Sequence, residues 1–289
     1  MPELPEVETI VRDIAPSISA RQITGVEVNW AGSLAGLTAQ EFARALVGRV
    51  IRQVTRRAKY IILDLSDNNK LAIHLAMTGR LLLRSSNAPE DRFTRVTIAL
   101  DNGQEIRFAD ARKFGRLRVL SPDEYIEFDR ALGPEPLSRG FDLDRFREAL
   151  RGKNARIKTL LLDQRFVAGI GNIYADEALF AAGINPNRSA SGLSEREIEQ
   201  LYHAIRQVLS SAIRDRGTTF DSYVDAFGRK GSHQLGLNVY RQEGKPCPRC
   251  GAPIKRQVIA GRGAHFCPTC QPLANGSASQ SGRLSQKGR

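Results

Sequence analysis

Two groups of residues in this 289-residue chain could do chemistry. The first is Cys247, Cys250, Cys267 and Cys270, the only cysteines present, spaced C-x2-C, sixteen residues, C-x2-C. Each pair fits a tight knuckle that aims two thiolates at one ion. Two knuckles on facing hairpins make the closed tetrahedral four-thiolate site of a zinc ribbon. Four thiolates leave no open coordination position, so one structural Zn2+ is expected and not a catalytic one. The competing readings are two disulfides or four free thiols. Met1 to Glu8 carry three glutamates and no basic segment, which speaks against an export signal and so against disulfides. The second group is Pro2-Glu3. Removal of Met1, usual before a small second residue, would leave Pro2 as a free secondary amine. An α-amino group titrates near ~8, so part of it is an uncharged nucleophile at neutral pH. Such an amine can form an imine with the anomeric carbon of a sugar, with Glu3 beside it as acid or electrostatic partner. The competing reading is that Pro2 and Pro5 only stiffen a helix entry.

Charge narrows the partners. The net charge is +12 and the sequence pI about 10, which favours a polyanion, nucleic acid first. A basic protein with no polyanionic partner is the alternative. Arg262 lies between Gly261 and Gly263, as suits a hairpin tip reaching into a ligand, while Lys255 and Arg256 fit solvated charges equally well. No basic amphipathic helix or lipidation signal points to a membrane surface. No apolar run approaches the ~20 residues of a membrane span. A cytoplasmic location is expected.

The elements that must position these residues read as an α+β multidomain protein. Val7, Ile10, Val11 and Ile14 mark one apolar helix face, with Pro5 and Glu6 in its first turn and Pro16 just past its end. Short β-rich runs follow at 23–30, 50–55, 60–65, 71–76, 95–100, 104–109 and 116–120, with one helix around 41–47. Asp101-Asn102-Gly103 is a hairpin turn between two of them. Many short strands suggest a sandwich or barrel. Near Gly133-Pro134-Glu135-Pro136 the pattern turns helical, with segments at 143–150, 155–162 and from Asn172 through Phe180. Ser194 and Glu197 form a capping box ahead of a regular stripe that runs from Ile198 to Ile213. Residues 274–289, rich in Ser, Gly and Gln, read as a disordered tail.

Several motifs together resemble the bacterial formamidopyrimidine-DNA glycosylases. They are Pro2-Glu3-Leu4-Pro5-Glu6-Val7-Glu8-Thr9, Arg57-Ala58-Lys59-Tyr60, His74-Leu75-Ala76-Met77-Thr78-Gly79 and Asp110-Ala111-Arg112-Lys113-Phe114-Gly115, followed by Gly133-Pro134-Glu135-Pro136-Leu137, Gly169-Ile170-Gly171-Asn172-Ile173-Tyr174-Ala175 and the cysteine module with Gly261-Arg262. They run in order from residue 2 to about residue 271. The endonuclease VIII branch shares the Pro-Glu start, but Leu4-Pro5-Glu6-Val7 sides with the purine enzyme.

The resemblance implies an N-terminal β-sandwich domain over 1–134, a helix-two-turn-helix domain over 135–240 and a zinc ribbon over 241–271, with 272–289 as tail. It implies a bifunctional glycosylase and AP lyase acting on oxidised purines in double-stranded DNA, working as a monomer. Carried over, Pro2 attacks C1′, Glu3 assists ring opening and base loss, Lys59 assists β-elimination and contacts phosphate, and Arg262 serves δ-elimination. The target base must leave the stack. Met77, Arg112 and Phe114 match the residues that fill the gap: two apolar wedges and a planar donor for the orphaned base. By residue type alone, Met77 and Phe114 read as core. Asn172 and Lys153 match DNA-contacting positions, and Asn172 opens a helix after a glycine turn. Glu6, Thr218 and Thr219 match the lesion-pocket region.

The chain departs from the pattern in three places. Arg92-Phe93-Thr94-Arg95-Val96 stands where the family often has Lys-His-Asp-His-Val. Phe93 cannot make the contact expected of that histidine, and Arg92 or Arg95 is the candidate to compensate. Ala76 replaces a usual glycine, a small change by residue type, and Arg241 stands where glycine is common. The rival functions are an oxidised-pyrimidine enzyme of the same chemistry, a non-catalytic damage binder, and an RNA-binding zinc-ribbon protein.

Overall fold

The computed structural model describes residues 1–273; the expected tail over 274–289 lies outside the described residues. The chain opens with helix α1 (Leu4–Ile18), whose start is fixed by a capping box in which Glu3 is the N-cap and Glu6 reaches back to it. Pro16 sits inside this helix and not past its end. Ile14 and Ile18 are both fully buried and one turn apart, so the last turn stays helical to seat Ile18 despite the missing amide.

Eight strands follow: β1 (Ile23–Val28), β2 (Ile51–Arg57), β3 (Tyr60–Leu65), β4 (Lys70–His74), β5 (Gly79–Ser85), β6 (Thr94–Leu100), β7 (Gln104–Asp110) and β8 (Arg116–Leu120), with helix α2 (Ala39–Leu46) after β1. They form two four-stranded antiparallel sheets, ordered β1-β6-β7-β5 and β2-β3-β4-β8. Inward residues of both sheets, such as Ile61, Ile73, Val96 and Ile106, share one core with the apolar face of α1. β5 was absent from the expectation because Leu81, Leu82 and Leu83 are all buried, which leaves no alternation to read. Helix α3 (Pro122–Arg130) is not expected from the pattern either: it is well capped by Ser121 and Glu124 but rests on the second sheet through only two half-buried side chains, Tyr125 and Phe128, too few to read as a stripe.

The helical unit contains α4 (Leu143–Leu150), α5 (Ile157–Leu162), α6 (Asn172–Ala181) and α7 (Glu195–Arg214). The α7 stripe packs on α6 around Tyr174, Leu179, Leu201 and Ile205. Leu4, the first residue of α1, belongs to this second core, while Val7 onward belongs to the sandwich core. The ribbon is a hairpin, β9 (Lys255–Ile259) and β10 (Arg262–Phe266), turned by Ala260 and Gly261, both at positive φ. Its small core joins Ile254, Cys247 and Cys267 to Phe180 and Val239. No helix among the described residues is long and apolar enough to cross a membrane.

Candidate active site and nucleic-acid interface

A cleft of about 620 Å³ opens where sandwich, helical unit and ribbon meet, lined among others by Glu3, Met77, Arg112, Asn172, Thr218 and Arg262. Pro2 is buried between Met1 and Glu3, both of which line the cleft.

Glu3 is held from both sides. Its carboxylate accepts the amides of Gly171 at 2.8 Å, Ile173 at 3.0 Å and Tyr174 at 3.4 Å, so it sits on the N-terminus of α6. A Cβ on Gly171 would stand 2.3 Å from that carboxyl carbon, so glycine is what admits the approach. Gly169, at φ +85°, equally admits Leu4, and its carbonyl accepts the Leu4 amide at 3.0 Å.

Glu6 lies one turn deeper and is not among the residues that line the cleft. It accepts the Glu3 amide at 2.8 Å, the Thr218 amide at 2.7 Å and the Tyr174 hydroxyl at 2.5 Å. Burial, aided by the neighbouring Glu3 charge, raises its pKa from 4.5 to about 7. Of the loop pair, Thr218 reaches the wall. Thr219 is turned inward, where its hydroxyl accepts the Gly231 amide at 3.0 Å and bonds the Tyr223 carbonyl at 3.0 Å.

Lys59 follows the β2–β3 turn, at Ala58 with φ +52°. That turn is clamped to Glu135, which accepts the Ala58 amide at 2.6 Å and pairs with Arg56 at 2.6 Å and Arg57 at 3.1 Å. Lys59 is 8% exposed. Burial pushes its ammonium below the usual lysine range; the Glu3 charge opposes this and the Arg262 charge adds to it. His74 is pushed down to about 4 by burial and by the Lys59 charge.

Met77, Arg112 and Phe114 come together at the cleft rim, and Met77 and Phe114 are 43% and 51% exposed, not core. The Arg112 guanidinium lies 4.8 Å from the Phe114 ring centre and 3.3 Å from the Met77 sulfur. Buried Asp110 shapes their loop by accepting the Thr78 hydroxyl at 2.5 Å and the amides of Arg112 at 3.1 Å and Gly115 at 2.8 Å. Lys153, just after α4, is exposed and is not among the lining residues.

Arg262 is brought to the cleft by a buried network that the sequence reading missed. Lys158 pairs with Asp176 at 2.6 Å and donates to the Gly263 carbonyl at 2.7 Å, which Asn172 also bonds at 3.0 Å. Asp176 accepts the His265 amide at 2.9 Å. Glu177, the next residue, accepts the amides of Asn238, Val239 and Tyr240 and so fixes the segment leading to the ribbon. The only sequence signal was two adjacent acids in an otherwise apolar helix.

The four cysteine sulfurs all lie within 4.8 Å of one another, with Cys247–Cys270 at 3.8 Å and Cys250–Cys267 at 3.4 Å. Tetrahedral sulfurs about 2.3 Å from one ion would be about 3.8 Å apart, whereas a disulfide needs about 2.05 Å. The donors therefore fit one structural Zn2+, which holds the two knuckles together.

Three family models match in order: the formamidopyrimidine-DNA glycosylase N-terminal domain over residues 1–117, its H2TH domain over 132–223, and the zinc finger found in FPG and IleRS over 244–273. Fold and site together define the class, a helix-two-turn-helix DNA glycosylase. Formamidopyrimidine-DNA glycosylases of Herpetosiphon aurantiacus and Desulforamulus reducens are 46% and 47% identical to it, covering 94% of this chain and 100% and 99% of theirs. Two crystal structures of Lactococcus lactis Fpg are also similar. A point mutant with Fapy-dG-containing DNA has a TM-score of 0.87 at 36% identity, covering 94% of this chain and all of that one. A complex with abasic-site DNA has a TM-score of 0.87 at 37% identity, covering 93% and 99%. The chain belongs to the formamidopyrimidine-DNA glycosylase family.

Proposed function

We propose that this chain excises oxidised purines, 8-oxoguanine and formamidopyrimidines, from duplex DNA and then cuts the strand at the abasic site. The observation that carries this is Glu3, next to Pro2, lining the cleft with its carboxylate on the N-terminus of α6. Once Met1 is removed, the Pro2 amine attacks C1′ as the bond from C1′ to the base breaks, and the base leaves with the bonding pair and takes a proton from water. Glu3 receives the proton that the amine sheds and returns it to O4′ as the sugar opens. The iminium so formed acidifies the C2′ proton; its loss, with Lys59 at the phosphate, expels the 3′ phosphate. Arg262 clamps the 5′ phosphate for the second elimination, and water then releases Pro2. Met77, Arg112 and Phe114 fill the gap left by the extruded base. Asn172 and Lys153 hold the backbone, and Thr218 faces the lesion. The units 1–134, 135–240 and 241–271 divide the labour as catalysis, DNA grip and delivery of Arg262. The enzyme works as a monomer in the cytoplasm, on nucleoid DNA.

Borohydride trapping on a duplex with 8-oxoguanine opposite cytosine, mapped by mass spectrometry, tests the reading. An adduct on Pro2 is expected, with its loss in Pro2→Gly and a sharp fall in base release in Glu3→Gln. Trapping only on an oxidised-pyrimidine duplex would reassign the substrate. Full activity in both variants would overturn the mechanism.

A further inference from the structure

The loop after α7 turns Thr218, Phe220, Asp221 and Ser222 to the cleft. Both of its ends are tied. Before the tip, the amides of Thr218 and Thr219 donate to Glu6 at 2.7 Å and to the Gln234 side chain at 2.9 Å. Beyond it, the Tyr223 hydroxyl donates to the Arg216 carbonyl at 3.1 Å, and the Ala226 carbonyl accepts the Leu83 amide of β5 at 2.9 Å. Between these anchors, Phe220, Asp221 and Ser222 make no backbone-to-backbone hydrogen bond among the described residues. The tip is held through side chains. The Ser222 hydroxyl donates to the Met77 carbonyl at 3.2 Å, Phe220 packs on the edge of the helical core, and the remaining hold is Arg241.

The Arg241 guanidinium lies 4.2 Å from the Phe220 ring centre, and its Nη2 stands 3.3 Å from the Asp221 carboxylate. The Tyr240 ring, 5.7 Å from that of Phe220, extends the same layer. Arg241 stands on a rigid post, because the amides of the three residues before it are all bonded to buried Glu177 of α6. Its own backbone is left-handed, φ +58°, which glycine takes freely and arginine seldom does. Glycine is common at this position in the family pattern. The arginine is thus kept against its backbone preference, and what its side chain gains is the grip on Phe220 and Asp221. Asp221 needs that partner. Among the described residues, Glu3 and Asp221 are the carboxylates that line the cleft, and Glu3 is occupied by the amides of α6. Asp221 is exposed, and without Arg241 its charge would oppose an incoming phosphate backbone.

We propose that Arg241 is a positioning residue for base release: it latches the 220–222 tip to the segment between α6 and the ribbon, so that the loop stands over the cleft before an extruded base enters. The inference rests on the DNA-glycosylase reading. An abasic sugar brings no base for the tip to cover, so the latch serves excision and not the strand cleavage that follows.

The experiment compares three readouts for the full chain: single-turnover release of 8-oxoguanine opposite cytosine, strand cleavage at a preformed abasic site, and affinity for a duplex carrying a tetrahydrofuran abasic analogue. Arg241→Gly removes the side chain and relieves the backbone. It is expected to slow base release roughly three- to tenfold and to leave the other two within about twofold. Asp221→Asn should slow base release by about two- to threefold, and should add nothing to Arg241→Gly, because both break one contact. Arg241→Lys, which keeps a charge opposite Asp221, should recover part of the rate. Amide hydrogen exchange over 220–222 should quicken in Arg241→Gly while α6 stays protected, which separates the latch from a folding defect. Base release within about twofold of the parent in Arg241→Gly would overturn the latch and leave the glycosylase reading intact. Equal losses in all three readouts would overturn it too, since Arg241 would then act on the DNA backbone or on the fold. A parent chain that neither releases the base nor cleaves the abasic strand would overturn both readings.

Discussion

Glu6 shows how one side chain ties chemistry to stability. Its pKa of about 7, against an ordinary 4.5, means that between those values the native state keeps a proton the unfolded chain has lost. Its contribution is therefore fully present at low pH and shrinks as pH rises through 7. Relative to Glu6→Gln, the parent should lose on the order of 2–3 kcal/mol of stability between pH 5 and 8, read by denaturant titration. An unchanged difference between the two proteins would refute the buried, protonated Glu6. The three departures from the family pattern also acquire a meaning that their residue types did not carry. Ala76, Phe93 and Arg241 all hold left-handed backbone, at φ +50°, +68° and +58°. Replacing a glycine at Ala76 is thus not a small change. Ala76→Gly should stabilise the fold by about 0.5–1 kcal/mol, seen as a higher urea midpoint with an unaltered slope. The cysteines were legible because a rare residue type stands at fixed spacing, whereas Pro2 and Glu3 stood out only through the resemblance, since by residue type they fit a helix entry as well. For Glu6 and Thr219, behind the cleft wall, a motif match says which loop a residue is on, not which way it faces.

At the scale of elements, what was legible was whatever carries a clean period or a turn signal. The apolar face of α1, the Asp101-Asn102-Gly103 hairpin and the α7 stripe all belong to half-buried elements. β5, buried on both faces, and α3, which seats only Tyr125 and Phe128 on the sheet, offer little contrast along their length. The junctions were illegible for another reason: they are made of pairings between residues far apart in sequence. Lys158–Asp176 is such a pairing, fully buried and bonded at once to the ribbon. Asp176→Ala would leave Lys158 charged and unpaired in the interior, and should cost about 3–5 kcal/mol. The β9–β10 hairpin should then become open to limited proteolysis and strand cleavage should fall, because Arg262 loses its mount. The ribbon itself depends on its ion. One zinc per chain is expected to be released by a thiol-modifying reagent, read with a colorimetric chelator. After release, residues 244–271 should be cleaved by protease well before the sandwich, since its own apolar core is only a few side chains.

Among the described residues, the two large cores and the ribbon meet around the cleft, and α1 belongs to both of those cores. Leu4 is fully buried among the helices, while Val7, Ile10 and Ile14 are fully buried in the sandwich. The excess of +12 charges sets the long-range attraction, so affinity for any duplex should fall steeply with salt while the preference for a damaged one persists, as competition binding at two ionic strengths would record. The shared helix has a mechanical consequence. Turning one half of the protein against the other would draw Leu4 out of its socket, at a cost of about 2 kcal/mol, and would pull Glu3 off α6 in the same movement. The body of the enzyme is thus a stiff anvil. The bending needed to bring a sugar to Pro2 must come from the duplex, so a lesion that softens its own stretch of DNA presents itself more readily than sound sequence does, before a single atom of the base is read.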